Sequence, residues 1–287
     1  MRLRTRVWLA ALVIALFGVL LGAATLFSWM VNETRFDRPS AEFDALVEQV
    51  EAIPGVTEVS GQRWVEAPIF VDPISRIELD VEQEHLPALL DELCASAHPE
   101  GVSWSLEVPA AAGGVMSLHS QTDSSGRALS GGTCPDFGFD AVSLVDELDE
   151  VAPGMAVQPA IWENGRFALV SIEETRDGYL HLLPLVQNVG ALLAAAGLDP
   201  DREVEINSTT LGATILPGQQ EPYLALLTDL AEDHEVEAFW ADGGSAPMGG
   251  RDHVNVTAPA AQHAAIESRI GASGLHIADF PVTFHEP

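Results

Sequence analysis

The sequence contains no lysine. All 13 basic residues are arginine, against 43 acids, for a formal net charge of −30. Such a balance repels phosphate backbones and excludes nucleic-acid partners. Cysteine occurs only as Cys94 and Cys134, without the C-x-x-C spacing that thiolate metal sites and dithiol redox motifs need. None of the nine histidines forms an H-x-x-x-H or H-E-x-x-H pair, and no D-x-D-x-D-G, Walker, G-x-S-x-G or G-x-G-x-x-G pattern occurs. With those spacings go the metalloprotease, calcium-loop, nucleotide-binding and serine-hydrolase classes they serve. No catalytic residue, cofactor or metal site is assigned from the sequence, and an enzyme lacking short motifs is the lesser reading.

Charge is also missing from one long stretch. Residues 1–6 (MRLRTR) hold three arginines, and Val7 to Val31 then runs without a charged side chain. A helix of that length is about 37 Å long and would cross a hydrocarbon core of about 30 Å. Trp8 and Trp29 sit near its two ends, where interfacial indoles belong. The expectation is a signal-anchor: residues 1–6 cytoplasmic, 7–31 a transmembrane helix in membrane lipid, and an acidic extracytoplasmic remainder on a single-pass cell-membrane protein. The alternative is a signal peptide cleaved after Ala24. The all-arginine basic set, with abundant Ala, Gly and Val, reads as the codon bias of a GC-rich bacterium.

What is present beyond residue 31 is a repeat. Leu46-Val47-x-x-Val50-x-x-Ile53 is followed by Pro54-Gly55, and Leu144-Val145-x-x-Leu148-x-x-Val151 by Pro153-Gly154; Leu226-Leu227-x-x-Leu230 is a third copy without the stop. Each is one buried stripe of a helix. Each leads into a strand bearing a tryptophan (Trp64, Trp162, Trp240), for which recurrence with the fold argues core packing. Second strands follow at Ile77–Val81, Phe167–Ile172 and Val254–Val256, the first alternating strictly. Pro87, Pro184 and Pro259 then open second helices, a position where a missing N–H costs nothing. Each helix returns as a strand, at Val102–Val108, Glu203–Ile206 and Leu275–Ile277. Short closing strands lie at Val115–His119, Leu211–Leu216 and Val282–His285.

The unit is α-β-β-α-β-β, and at the level of element order it resembles the ferredoxin-like, split βαβ plait. That resemblance implies an α+β fold of three tandem plaits: 32–120, then a flexible loop 121–138, then 139–217 and 218–287. It implies no activity.

Cys94, on a helix, and Cys134, in the loop, are read either as a disulfide closing a loop of about 41 residues or as two separate thiols. Two loops are candidate ligand sites. Gln121–Gly138 carries Asp123, Ser124, Arg127, Cys134 and Asp136, with a plain connector as the simpler account. Asp242–His253 carries Arg251, Asp252 and His253, an anion clamp or acid–base group, against a glycine-rich hairpin tip. The functional expectation is a non-catalytic, membrane-tethered protein acting through contacts with an unknown protein or envelope partner. The alternative is a small-ligand or cation-binding sensor.

Overall fold

A computed structural model describes residues 35–66, 72–129, 131–162, 164–172, 178–241 and 253–287. Twelve strands form one sheet in strictly sequential order. They are β1 (Arg35–Asp37), β2 (Val56–Glu66), β3 (Ile74–Val81), β4 (Ser103–Pro109), β5 (Val115–His119), β6 (Ala156–Ile161), β7 (Phe167–Ser171), β8 (Val204–Asn207), β9 (Leu211–Ile215), β10 (Ala238–Ala241), β11 (Val254–Thr257) and β12 (Val282–His285). The helices are α1 (Ala41–Glu51), α2 (Leu86–Ala95), α3 (Ala141–Val151), α4 (Leu183–Gln187), α5 (Val189–Ala195), α6 (Gln220–His234) and α7 (His263–Gly271).

Local chemistry sets these bounds. Asp140 caps α3 by accepting from Ser143 N at 3.0 Å, and Ala141, Leu144, Val145 and Leu148 form its buried stripe. Beyond α1 and α3 the chain turns at Gly55 and Gly154, with φ of 87° and 76°. α2 and α4 carry proline in their first turn.

Two expectations are corrected here. The first is the tandem ferredoxin-like plait. In a split βαβ a strand from elsewhere fills the gap between the two strands joined by a helix. Here β3 and β4 pair directly and in parallel (Leu79↔Leu106), as do β7 and β8 (Leu169↔Ile206), leaving no gap. Nor are there three separate sheets. β5 pairs with β6 (Met116↔Val157) and β9 with β10 (Phe239↔Leu211), so ladder groups that would be raw edges are satisfied across the expected boundaries. The expected strand Leu275–Ile277 is a run of bends and turns in which Leu275 and Ile277 are buried all the same, and β12 takes its place beside β11. β1, absent from the sequence reading, pairs with the end of β2.

The second correction concerns the membrane. No helix among the described residues is long and apolar enough to cross one. The span read at 7–31 lies outside the described residues, so the transmembrane, signal-anchor, single-pass and extracytoplasmic assignments have no support.

The core lies on one side of the sheet. Leu79, Leu106 and Leu118 are in register on adjacent strands, and Met116, Val157, Leu169, Ile206, Ala213 and Val256 continue the same face. The buried faces of α1 to α7 pack with them in one cluster. Successive parallel pairs run in opposite directions while the helices stay on one face, so the crossovers alternate in hand. About 98% of such connections are right-handed in general, which makes every second crossover here of the rare kind. Among the described residues, the opposite face of the sheet carries no helix layer.

Candidate functional site

The helix-free face is polar because strand side chains alternate and every second one points away from the core. Three triplets lie side by side: Glu78-Leu79-Asp80 on β3, Ser105-Leu106-Glu107 on β4 and Ser117-Leu118-His119 on β5. Their leucines enter the core, and their flanking residues line the other face. β2 adds Glu58 and Ser60, paired with Asp80 and Glu78. Glu58, Ser60, Glu78, Asp80, Ser105, Glu107 and His119 together line an open cleft of about 350 Å³.

Within the cleft, Ser105 Oγ and His119 Nδ1 are 2.8 Å apart, and Ser117 Oγ donates to Glu107 Oε2 at 2.8 Å. Arg76 Nη1 lies 3.7 Å from Glu78 Oε1 and is the nearby counter-charge. The His119 ring keeps one edge in water, yet its neighbours crowd it enough that burial lowers its pKa from the ordinary 6.5. Glu107 opposes that shift, Arg76 adds to it and Glu78 opposes it. The ring is therefore neutral at pH 7, amid four carboxylates.

Ser105 and His119 do not make a nucleophile. Acyl transfer needs backbone or side-chain donors aimed at a developing oxyanion, and the amides beside Ser105 belong to the ladders with β3 and β5. The arrangement holds negative charge on a rigid, solvent-open surface, and so can attract and orient cations.

A second acidic group lies at the end of β3. Glu82, Glu84 and His85 can bring ligand atoms within 4.8 Å of one another. His85 Nδ1 is 3.2 Å from Glu82 Oε2 and 3.8 Å from Glu84 Oε1, near enough for charge contact though without hydrogen-bond alignment. An imidazole with two carboxylates suits a borderline divalent ion.

The residues singled out from sequence are placed as follows. Cys94 on α2 and Cys134 are joined by a disulfide. Arg251 and Asp252 lie outside the described residues, while His253 precedes β11, partly buried and in contact with its surroundings. In the 121–138 loop several polar groups bond locally, and Arg127, Ala128 and Gly131 line a cleft of about 320 Å³ with Asp72, Ser75 and Glu100. Asp123 Oδ1 accepts from Ser125 N, Ser125 Oγ and Arg127 N at 2.8, 2.6 and 3.0 Å, forming a local turn, and Asp136 Oδ1 accepts from Gly138 N at 2.9 Å. Those bonds, the Ser125 hydroxyl first, hold the Asp123 carboxyl below its usual range. Arg127 ties the loop to the Asp72 carbonyl oxygen at 2.9 Å. Ser124 is exposed.

The three tryptophans part company. Trp64 is buried at 7% exposure, Trp162 is exposed at 37%, and Trp240 is half-buried on the helix-free face. The β3–β5 cleft was missed because its residues come from four strands whose pairing the sequence does not announce. The available signal was the polar-Leu-polar triplet at 78–80, 105–107 and 117–119, which the helical Glu147-Leu148-Asp149 shares. Comparison of the chain with protein-family models, with curated proteins and with solved structures finds no match.

Proposed function

We propose that this chain is a non-catalytic binding protein whose helix-free face docks a Lys/Arg-rich segment of a protein partner across β2–β5. The observation that carries the reading is the cleft itself. Glu58, Glu78, Asp80 and Glu107 gather on strands fixed by a continuous ladder, with one arginine beside them. A pre-organised acidic surface attracts a basic partner at long range and sets its register at short range. The chain's net charge of −30 adds to that attraction.

The test is fluorescence anisotropy with a labelled peptide of about ten alternating Lys and Arg residues, titrated with the full chain at low and physiological salt. The double substitution E78Q/E107Q should weaken binding about tenfold or more. D91N/E92N, which removes equal charge from the exposed side of α2, should weaken it far less. Equal loss in both variants, or no binding by the unsubstituted chain, overturns the reading.

A second reading, divalent-cation binding, is favoured by the Glu82, Glu84 and His85 group. Thermal shift with zinc, manganese and calcium salts checks it, because an ion that binds only the native state must stabilise that state. An E82Q/H85A variant that shifts as much as the unsubstituted chain overturns it.

A further inference from the structure

The far half of the helix-free face carries the Arg166, Glu203 and Glu205 ion pairs and, beside them, one uncharged row. One row of residues crosses six strands in register there: Gln158 on β6, Val170 on β7, Asn207 on β8, Gly212 on β9 with Trp240 on β10, and Asn255 on β11. Thr283 on β12 extends the row to the sheet edge. The row contains no acid and no base, in a chain of net charge −30. Gln158, Val170, Asn207, Trp240 and Asn255 are partly exposed, and Thr283 is exposed.

Trp240 is the centre of the row. A Cβ built on Gly212 would stand 2.6 Å from Trp240 Cδ1 and 3.4 Å from Cγ, so the indole rests on bare backbone that only glycine leaves clear. One side of the indole is thereby fixed against β9, and the remaining exposure of the side chain is on the open face. Asn207 is the cross-strand neighbour of Gly212, and Asn255 that of Trp240; Asn207 Nδ2 donates one hydrogen bond to Glu205 Oε1 at 3.2 Å.

We infer that this row is a binding platform for a neutral oligosaccharide. An aromatic face held rigidly on a sheet stacks against the C–H surface of a sugar ring at small entropic cost. Primary amides both donate and accept, which matches vicinal hydroxyls better than a charged group does. Strands about 4.8 Å apart place the row's polar groups along roughly 24 Å, enough for several sugar rings in line. The bland account is that Trp240 merely covers a glycine in a sheet, a packing device in its own right. It explains the contact with Gly212, and Glu205 accounts for one N–H of Asn207, but neither accounts for the amides of Gln158 and Asn255 in the same row.

The platform lies on other strands than the acidic cleft and does not depend on the cation-docking reading. The experiment is affinity electrophoresis and calorimetry of the full chain with the hexasaccharides of β-1,4-linked glucose, β-1,4-linked N-acetylglucosamine and α-1,4-linked glucose. At least one should retard the protein, with an affinity unchanged between low and physiological salt, unlike binding of a basic peptide. N255A should weaken it about fivefold or more without altering the melting temperature, N207A should weaken it similarly whatever the loss of its bond to Glu205 does to stability, and W240F should retain part of it. W240A should abolish it; should that variant not fold, the two asparagine variants and W240F decide. Absence of binding to all three hexasaccharides, or binding untouched by N207A, N255A and W240F together, overturns the inference.

Discussion

Ser105 and His119 face each other across the β4–β5 ladder with Oγ and Nδ1 2.8 Å apart, on the side of the sheet away from the described helices. The pair shows how this fold uses its two faces. The leucines between their neighbours close the core, and the polar residues on either side build the surface. Position in the pleat, more than residue type, decides which role each takes.

That geometry predicts a pH dependence. The His119 pKa lies below 6.5, chiefly through burial, so over the interval from that lowered value up to 6.5 the unfolded chain binds more protons than the folded one. Stability therefore rises with pH through this interval and levels off above it. NMR titration of the His119 ring should give a midpoint under 6.5. Glu107→Gln should lower the midpoint further, because the Glu107 carboxylate favours the charged ring. A midpoint at or above 6.5 would contradict the packing described for the ring.

The Cys94–Cys134 bridge spans a sequence separation of 40 and ties α2 to the loop that follows β5. In the chain-entropy model such a closure contributes about 4 kcal/mol through the unfolded state. Cys94→Ser with Cys134→Ser should lower the urea midpoint by a corresponding amount while leaving far-UV circular dichroism unchanged. The loop keeps other ties, among them Ser96 Oγ to Thr133 Oγ1 at 2.8 Å, and should stay ordered without the bridge.

Much of the element order could be read from the sequence, and the pairing of the elements could not. Helix stripes such as Leu144-Val145-x-x-Leu148 and the alternation Ile77-Glu78-Leu79 are local signals, written within a few residues. Whether β3 and β4 lie side by side or admit a strand between them depends on residues 76–80 meeting 103–107, and no local pattern encodes that. Right-handed crossovers are the general rule, and a one-sided helix layer over sequential strands breaks it at alternate connections. Leu275 and Ile277 show another limit, since their apolarity reports burial and was mistaken for a strand. His119 was only one of nine histidines until β5 was placed beside β4.

Gly212 should tolerate no side chain. A Cβ there would meet Trp240 Cδ1 at 2.6 Å, and the conflict can be relieved only by moving an indole already seated on the strand. Gly212→Ala should cost about 1–3 kcal/mol, the usual range for overpacking. In the Trp240→Ala background the same change should cost far less, and chemical denaturation of the four variants gives that coupling directly. Equal costs in both backgrounds would mean that the glycine serves something other than the indole.

The two tyrosines offer a paired test of buried hydrogen bonding. Both are fully buried, and burial raises both phenol pKa values far above the ordinary 10, so both stay neutral at physiological pH. Tyr179 Oη donates to the Leu227 carbonyl oxygen on α6 at 2.9 Å, whereas Tyr223 Oη, also on α6, has no hydrogen-bond partner among the described residues. A satisfied buried hydroxyl contributes about 1 kcal/mol net, while an unsatisfied one carries its desolvation cost with nothing in return. Tyr179→Phe should therefore destabilise the chain by about 1 kcal/mol. Tyr223→Phe, which removes an orphaned hydroxyl and keeps the ring beside His276, should be neutral or stabilising by up to about the same amount. Urea unfolding of the two variants side by side decides the matter. A loss in Tyr223→Phe equal to that in Tyr179→Phe would show that the Tyr223 hydroxyl is satisfied in solution, with an ordered water as the natural partner.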